Sequence, residues 1–173
     1  MSIIGIMKKA LIVPALLVTL CLTGCFDSKN TLNEYKTPEL FLSHSTEPHH
    51  YFTIYSSKDM SKKTLDYDLE IKEAILAAGP FTEVDGIEPK TERYFTYEIL
   101  RSLSTAGPNI CKLHIYDDGN INIYVKNAIA KQCNAFYTMD PEKAYALNDF
   151  VELKIEENHD RYEQEVNGGE LAN

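Results

Sequence analysis

Imidazoles, thiols and a surplus of carboxylates are the groups in this chain with chemistry to offer. His44, His49 and His50 lie close together, and imidazole is a ligand for zinc or copper. A metal site needs its ligands fixed in geometry by a supporting shell. The stretch around these histidines is polar and broken by Pro48, so it reads as a tether carrying solvated side chains, and no metal is expected. Asp117-Asp118-Gly119-Asn120 sets carboxylates in a row but lacks the spacing and terminal Glu of a calcium loop. Glycoside hydrolysis would need two carboxylates converging on one bond. Nothing singles out such a pair, and many acids alternate along strands as surface charge. No Gly-x-Ser-x-Gly, Walker loop, His-Glu-x-x-His or Cys-x-x-Cys pattern occurs. The expectation is a protein that is not an enzyme and needs no cofactor.

The thiols divide into two pairs by context. Cys21 and Cys25 close an apolar run, Ala10 to Leu22, that follows Lys8-Lys9. That run is about 13 residues, too short for the roughly 20 that span a bilayer as a helix. Pro14 inside it further weakens a permanent membrane helix. The order of basic start, apolar run, small residues Thr23 and Gly24, then Cys25 resembles the signal and lipobox of bacterial lipoproteins. The resemblance covers residues 1–25 alone. It implies removal of residues 1–24, diacylglycerol on the Cys25 sulfur and a further acyl chain on its amino group. Each buried methylene contributes about 0.8 kcal/mol, and two or more chains anchor stably. In enterobacterial lipoproteins an Asp directly after the lipidated Cys favours the inner membrane. Here Phe26 holds that place and Asp27 comes one later. The resemblance therefore implies the periplasmic side of the outer membrane.

Cleavage would leave roughly 149 residues, one domain by size. It would also remove Lys8 and Lys9, taking the formal charge from −9 to about −11 at neutral pH. Nucleic-acid binding needs a basic surface, and this balance argues against it. It argues equally against a polybasic attachment to anionic lipid. It suits a cationic protein partner in the envelope, since complementary charge speeds encounter; solubility alone is the plainer explanation. Cys111 and Cys133 would then be the domain's two thiols. In an oxidising compartment they are expected to bond, closing a loop of about 22 residues worth about 3 kcal/mol in the chain-entropy model.

Stepping along the chain, four segments are expected: a signal over residues 1–24, a lipidated start and tether over 25–48, one α+β domain over 49–157 and an acidic frayed tail over 158–173. In the tether Leu40, Phe41 and Leu42 are apolar enough to dock as a short turn. Tyr51–Ser56 is rich in strand formers. Leu65, Tyr67, Leu69 and Ile71 alternate with charged residues, which predicts a strand with one apolar face. A helical turn follows up to Gly79-Pro80, and Phe81–Lys90 reads mostly as loop. Arg93–Leu103 fits helix or strand, with Tyr94-Phe95-Thr96-Tyr97 favouring strand.

Cys111, Leu113 and Ile115 alternate with polar residues, as do Ile121, Ile123 and Val125 after the turn. A three-residue loop with Gly119 left-handed pairs Ile115 with Ile121 and Cys111 with Val125, and puts every apolar side chain on one face. Cys133–Met139 is a further strand. Asp140-Pro141 then opens a helix with Ala144, Leu147, Phe150, Val151 and Ile155 inward. The predicted fold is α+β: a small antiparallel sheet, hairpin or meander, backed by a C-terminal helix. A simple meander would put Cys111 and Cys133 about 9.5 Å apart at sheet spacing, beyond a disulfide, so the expected bond requires Cys133 to fold back or its strand to pair elsewhere.

The hairpin's polar face collects Lys112, His114, Tyr116, Asn122, Tyr124 and Lys126. Tyrosines supply contact area at low entropic cost, so this is the candidate partner face, with a solvated sheet surface as the plainer reading. Size and anchoring resemble those of small acidic lipoproteins that inhibit lysozyme or confer immunity, without the signature residues of the inhibitors. The expected function is a non-catalytic, membrane-anchored binder of an envelope protein. A structural accessory of the envelope and a cell-wall hydrolase are the alternatives.

Overall fold

The computed structural model describes residues 35–44, 50–101, 108–127 and 132–167. The signal segment, Cys25 and His49 lie outside these, and so do residues 168–173. The chain divides into two units after Thr31, and all that follows concerns the second. Among the described residues no helix is long and apolar enough to cross a membrane.

Seven antiparallel strands form one sheet: β1 (His50–Ser56), β2 (Asp59–Thr64), β3 (Thr82–Val84), β4 (Tyr94–Arg101), β5 (Pro108–Tyr116), β6 (Asn120–Asn127) and β7 (Gln132–Thr138), in the order β2-β1-β4-β5-β6-β7-β3. Three helices, α1 (Pro38–Ser43), α2 (Glu70–Ala78) and α3 (Pro141–Tyr162), contribute to a core on one face. This is the expected α+β architecture with its C-terminal helix, but the sheet is larger than the small one predicted. The chain makes the β1–β2 hairpin, runs through α2 to the far edge as β3, and returns to the middle as β4. From there it meanders outward through β5 and β6 to β7.

The register arises from alternation. Thr64, Ile54, Tyr97, Leu113, Ile123 and Ala135 form one row across the inner face. Phe95, Ile115, Ile121 and Tyr137 form the next. All of the large residues in these rows are buried, each contributing about 1.5–3 kcal/mol by leaving water. The β5–β6 turn has the three-residue form. Gly119 sits at φ 89°, where a Cβ would lie 2.5 Å from the Met139 carbonyl, so only glycine fits. Ile115 pairs with Ile121 and Cys111 with Val125.

Asp140 caps α3, accepting hydrogen bonds from Glu142 N (2.8 Å) and Lys143 N (3.3 Å), and Pro141 supplies the first turn. Ala144, Leu147, Val151 and Ile155 are buried as predicted, whereas Phe150 is only partly buried against the core. Asn148 shares that stripe and donates to the Ile115 carbonyl. Arg93 clamps the helix from outside, through Glu152 (3.0 Å) and Asp149 (2.5 Å), with Asp117 at 3.9 Å. The hydrogen bonds that Arg93 donates to Glu152, and then to Asp149, push the guanidinium pKa up. At the β2 edge, His159 Nδ1 lies 3.3 Å from both the N–H and the carbonyl of Lys63, and Lys62 pairs with Glu156 at 2.6 Å. The helix thereby covers backbone groups that would otherwise invite another strand.

Four expectations are corrected. Leu65–Ile71 is not a strand. Asp68 and Leu69 take positive φ (61° and 60°), and α2 begins at Glu70. Asp66, expected on a solvated strand face, is buried and accepts from Ile71 N (2.9 Å) and Lys72 N (2.7 Å), so it caps the helix. Ile71 then belongs with Ile75 on a helical stripe rather than with Leu69 on a strand face.

The domain also begins before residue 49. Thr37 caps α1, Tyr35, Phe41 and Leu42 are buried, and the Phe41 ring meets Tyr97 edge-on at 6.4 Å. The docking of Leu40–Leu42 was foreseen as a turn and is a helix, in which Leu40 itself is exposed. At the other end, helix continues past 158 to Tyr162, which is buried, and a π-helical turn follows over Glu163–Asn167. Arg161 lies over the Tyr67 ring at 3.7 Å and bonds Glu165, holding this end down. Finally, Val125 pairs with Cys111 on one side and Cys133 on the other. The two cysteines stand two strands apart, about 9.5 Å at sheet spacing. That is outside the Cα separation of a disulfide, so the expected bond does not fit this register.

Candidate functional sheet face

The alternation that buries one face of the sheet turns the other away from the described helices α1, α2 and α3. On that face Lys63, Tyr55, Thr96, His114, Asn122, Phe136 and Val84 stand directly opposite one another in a single row across seven strands. Beside it runs a second row: Thr53, Glu98, Lys112, Tyr124 and Asn134. Tyr94 and Tyr116 pair at the turn end, with ring centroids 5.1 Å apart. The six residues singled out in the sequence, Lys112, His114, Tyr116, Asn122, Tyr124 and Lys126, all project from this face.

His114 is largely buried. Its Nδ1 lies 2.9 Å from Thr96 Oγ1, and the Tyr94 ring meets it edge-on at 5.4 Å. Burial, and then the nearby Lys112 charge, lower its pKa to about 4, so it is neutral at ordinary pH. Thr96 is fully buried. A hydroxyl that solvent cannot reach is no nucleophile for a substrate, and the pair holds β4 to β5. Lys112 donates to the Tyr55 hydroxyl (3.1 Å) and pairs with Glu98 (3.4 Å). Burial opposes its charge, but these partners outweigh that and raise its pKa. Asn122 Oδ1 is buried with no hydrogen-bond partner among the described residues, a cost of about 1–3 kcal/mol.

Sequence reasoning missed Tyr55, Tyr94, Thr96, Glu98 and Phe136. The signal was present in the alternation of Tyr94-Phe95-Thr96-Tyr97. It could be used only once β4 was known to lie between β1 and β5. Charge is distributed differently from what the composition suggested. None of the six predicted residues is acidic. The carboxylates concentrate on α3 (Glu142, Asp149, Glu152, Glu156, Glu157, Asp160) and on the loops at either end of the strands.

The remaining chemical candidates are dispersed. His44 caps the end of α1 and stacks on Tyr35 at 4.3 Å, so it belongs to the domain rather than to a tether. Among the described residues no group of three His, Cys, Asp or Glu side chains is placed to hold a metal ion. Asp118 accepts from Lys90 N and Asn120 N, consistent with a turn-forming role. Glu98, Glu152 and Glu83 each lie against a cation. Comparison with protein-family models, with curated proteins and with solved structures finds no match to this chain.

Proposed function

We propose that this chain is a lipid-anchored protein of the cell envelope, and that its domain is a non-catalytic module binding another protein through the helix-free face of the sheet. The lipobox pattern ending at Cys25 supports the anchor, and Phe26 supports the outer membrane. The observation that carries the binding reading is the continuous cross-strand row on a face that no described helix covers. Tyr94, Tyr116, Tyr124 and Phe136 are only half-buried there, with amide groups from Asn122 and Asn134 between them. Aromatic residues with polar tips are suited to a wet recognition surface. The acidity of the rest of the domain would draw a cationic partner over long range. Contact itself rests on aromatic and amide groups, because the face carries lysines.

Two measurements test this. Fatty-acid labelling should mark the wild-type protein and not Cys25→Ala, and fractionation should place the wild type in the outer membrane. An unlabelled mature protein that retains residues 1–24 would overturn the anchor. A C-terminally tagged full-length chain should capture a specific partner from membranes. The double variant Tyr116→Ala/Tyr124→Ala should lose that partner while melting near the wild-type temperature. Capture of nothing specific, or capture indifferent to the double variant, would overturn the sheet-face reading. A soluble toxin as partner identifies an inhibitor or immunity protein; an outer-membrane assembly identifies an accessory lipoprotein.

A further inference from the structure

β3 is three residues long, and where it stops the sheet has an edge and a cavity side by side. β3 pairs Thr82 with Thr138, Glu83 with Tyr137 and Val84 with Phe136; the chain then turns away at Asp85-Gly86. Among the described residues nothing continues that ladder along Ala135 and Asn134. The space beside them is a cavity of about 350 Å³, bordered by the consecutive β7 residues Asn134, Ala135 and Phe136. Ile123, Val125 and Ala135 form its apolar floor, and Tyr35 is one wall. Lys36, Glu83 and Asp85 lie at the rim. Lys36 pairs with Glu83 at 3.8 Å, whereas Asp85 is exposed and has no ion pair among the described residues. The rim therefore carries a net negative charge.

We propose that this edge of β7 accepts an extended, cation-bearing segment of a partner protein as an added strand. A strand continuing where β3 leaves off bonds its backbone to β7 and directs alternate side chains to opposite faces. The residue opposite Ala135 shares its face and enters the cavity above Ile123 and Val125. The residue opposite Asn134 projects the other way, and since Val84 already fills the place opposite Phe136, a Lys or Arg just beyond the paired end of the added strand meets Asp85. Backbone pairing supplies affinity, and the cavity with its acidic rim selects an apolar residue flanked by cations. At the opposite edge α3 covers the β2 backbone at Lys63 through His159. This proposal does not depend on the helix-free face.

The test uses the chain purified from membranes into neutral phosphatidylcholine nanodiscs and a fluorescein-labelled heptapeptide alternating Lys with Phe, read by anisotropy. Three peptides are compared: the parent, an isomer with Glu for Lys, and a parent N-methylated along one edge so that it cannot pair as a strand. Saturable binding of the parent is expected, with at least a tenfold loss for each of the other two. Asp85→Lys, an exposed change that leaves the fold intact, should reverse the preference between the Lys and Glu peptides. Ala135→Trp should fill the cavity and weaken the parent at least tenfold; should that variant not fold, Asp85→Lys decides. Absence of saturable binding overturns the proposal, as does indifference to N-methylation or to Asp85→Lys. Uptake of N-phenyl-1-naphthylamine into the cavity without peptide binding would reassign it to a small apolar ligand. Partner capture lost in Tyr116→Ala/Tyr124→Ala but kept in Asp85→Lys would leave the sheet-face reading standing and remove this one.

Discussion

The two faces of the sheet are made by the same strands and the same alternation, yet they are closed by different means. The inner face is closed by helices: Phe95, Leu113 and Ile115 are almost wholly shielded in the core to which α1, α2 and α3 contribute. The outer face is closed by its own long side chains. Tyr55 is 7% exposed and Thr96 is 0% exposed although no described helix lies above them. Lys112 folds across Tyr55, and the Tyr94 and Tyr116 rings lean together at the turn end, with the Tyr94 ring against His114. Amphipathic side chains thereby shield the backbone with their stems and keep polar tips at the surface. The inner face contributes stability through apolar burial, whereas the outer face contributes hydrogen-bonding and aromatic area.

That contrast breaks if the inner face proves dispensable. Phe95→Ala should destabilise by about 3–5 kcal/mol, the usual cost of truncating a buried aromatic residue, read from chemical denaturation. A loss under about 1 kcal/mol would mean that the inner face is not the core. The next effect in size distinguishes the faces by pH. His114 is held neutral in the fold, with its pKa near 4 against about 6.5 in the unfolded chain. Between those values the unfolded state takes up the proton first, so the stability present above about pH 6.5 falls as pH drops towards 4. The loss over that window is about 3 kcal/mol. Burial raises the pKa of Asp66 against its backbone hydrogen bonds. Its cost is present above that raised pKa and eases below it, so Asp66 opposes the His114 effect at the acid end. Melting temperatures at pH 7.5 and 5 should differ in the wild type and converge in His114→Gln.

A smaller effect tests the clamp between the faces. Among the described residues, Arg93→Ala leaves the half-buried Glu152 with Lys58 and Ser56 as partners. Burial works against the Glu152 charge, and bonds from Arg93 and Lys58 hold its pKa below the usual carboxylate range. We expect a loss of about 1–2 kcal/mol, shrinking when salt is raised. The smallest effect sharpens the division of labour. Tyr124→Ala on the outer face should change stability by less than about 1 kcal/mol, and with Tyr116→Ala it should abolish partner capture. A loss of stability as large as that of Phe95→Ala would make the outer face a second core instead of the proposed recognition surface.

Much of this was legible locally. The hairpin register followed from demanding that Cys111, Leu113, Ile115, Ile121, Ile123 and Val125 share a face, because a slip of one residue reverses every side chain. The start of α3 followed from Asp140-Pro141, since capping is decided within one turn. Six members of the outer face were therefore readable from two strands. The alternation over Leu65–Ile71 misled because period two is only a pattern. Asp66 turned inward to cap α2, and nothing nearby in the chain announces which backbone amides a carboxylate will find. The polar composition after residue 158 likewise concealed a helix that is held by contacts with β2 and Tyr67.

What the chain determines by itself are the features set by neighbours in sequence: the hairpin, its glycine turn, the capped helix, and the pattern at Cys25 that resembles a lipoprotein signal. What only the tertiary structure decides are the features set by partners far apart in the chain. The insertion of β4 between β1 and β5 completes the aromatic row. The short β3 at the far edge leaves Ala135 beside a cavity, and Val125 separates Cys111 from Cys133. The reason is physical: alternation specifies which way a side chain points, but strand order specifies what stands next to it.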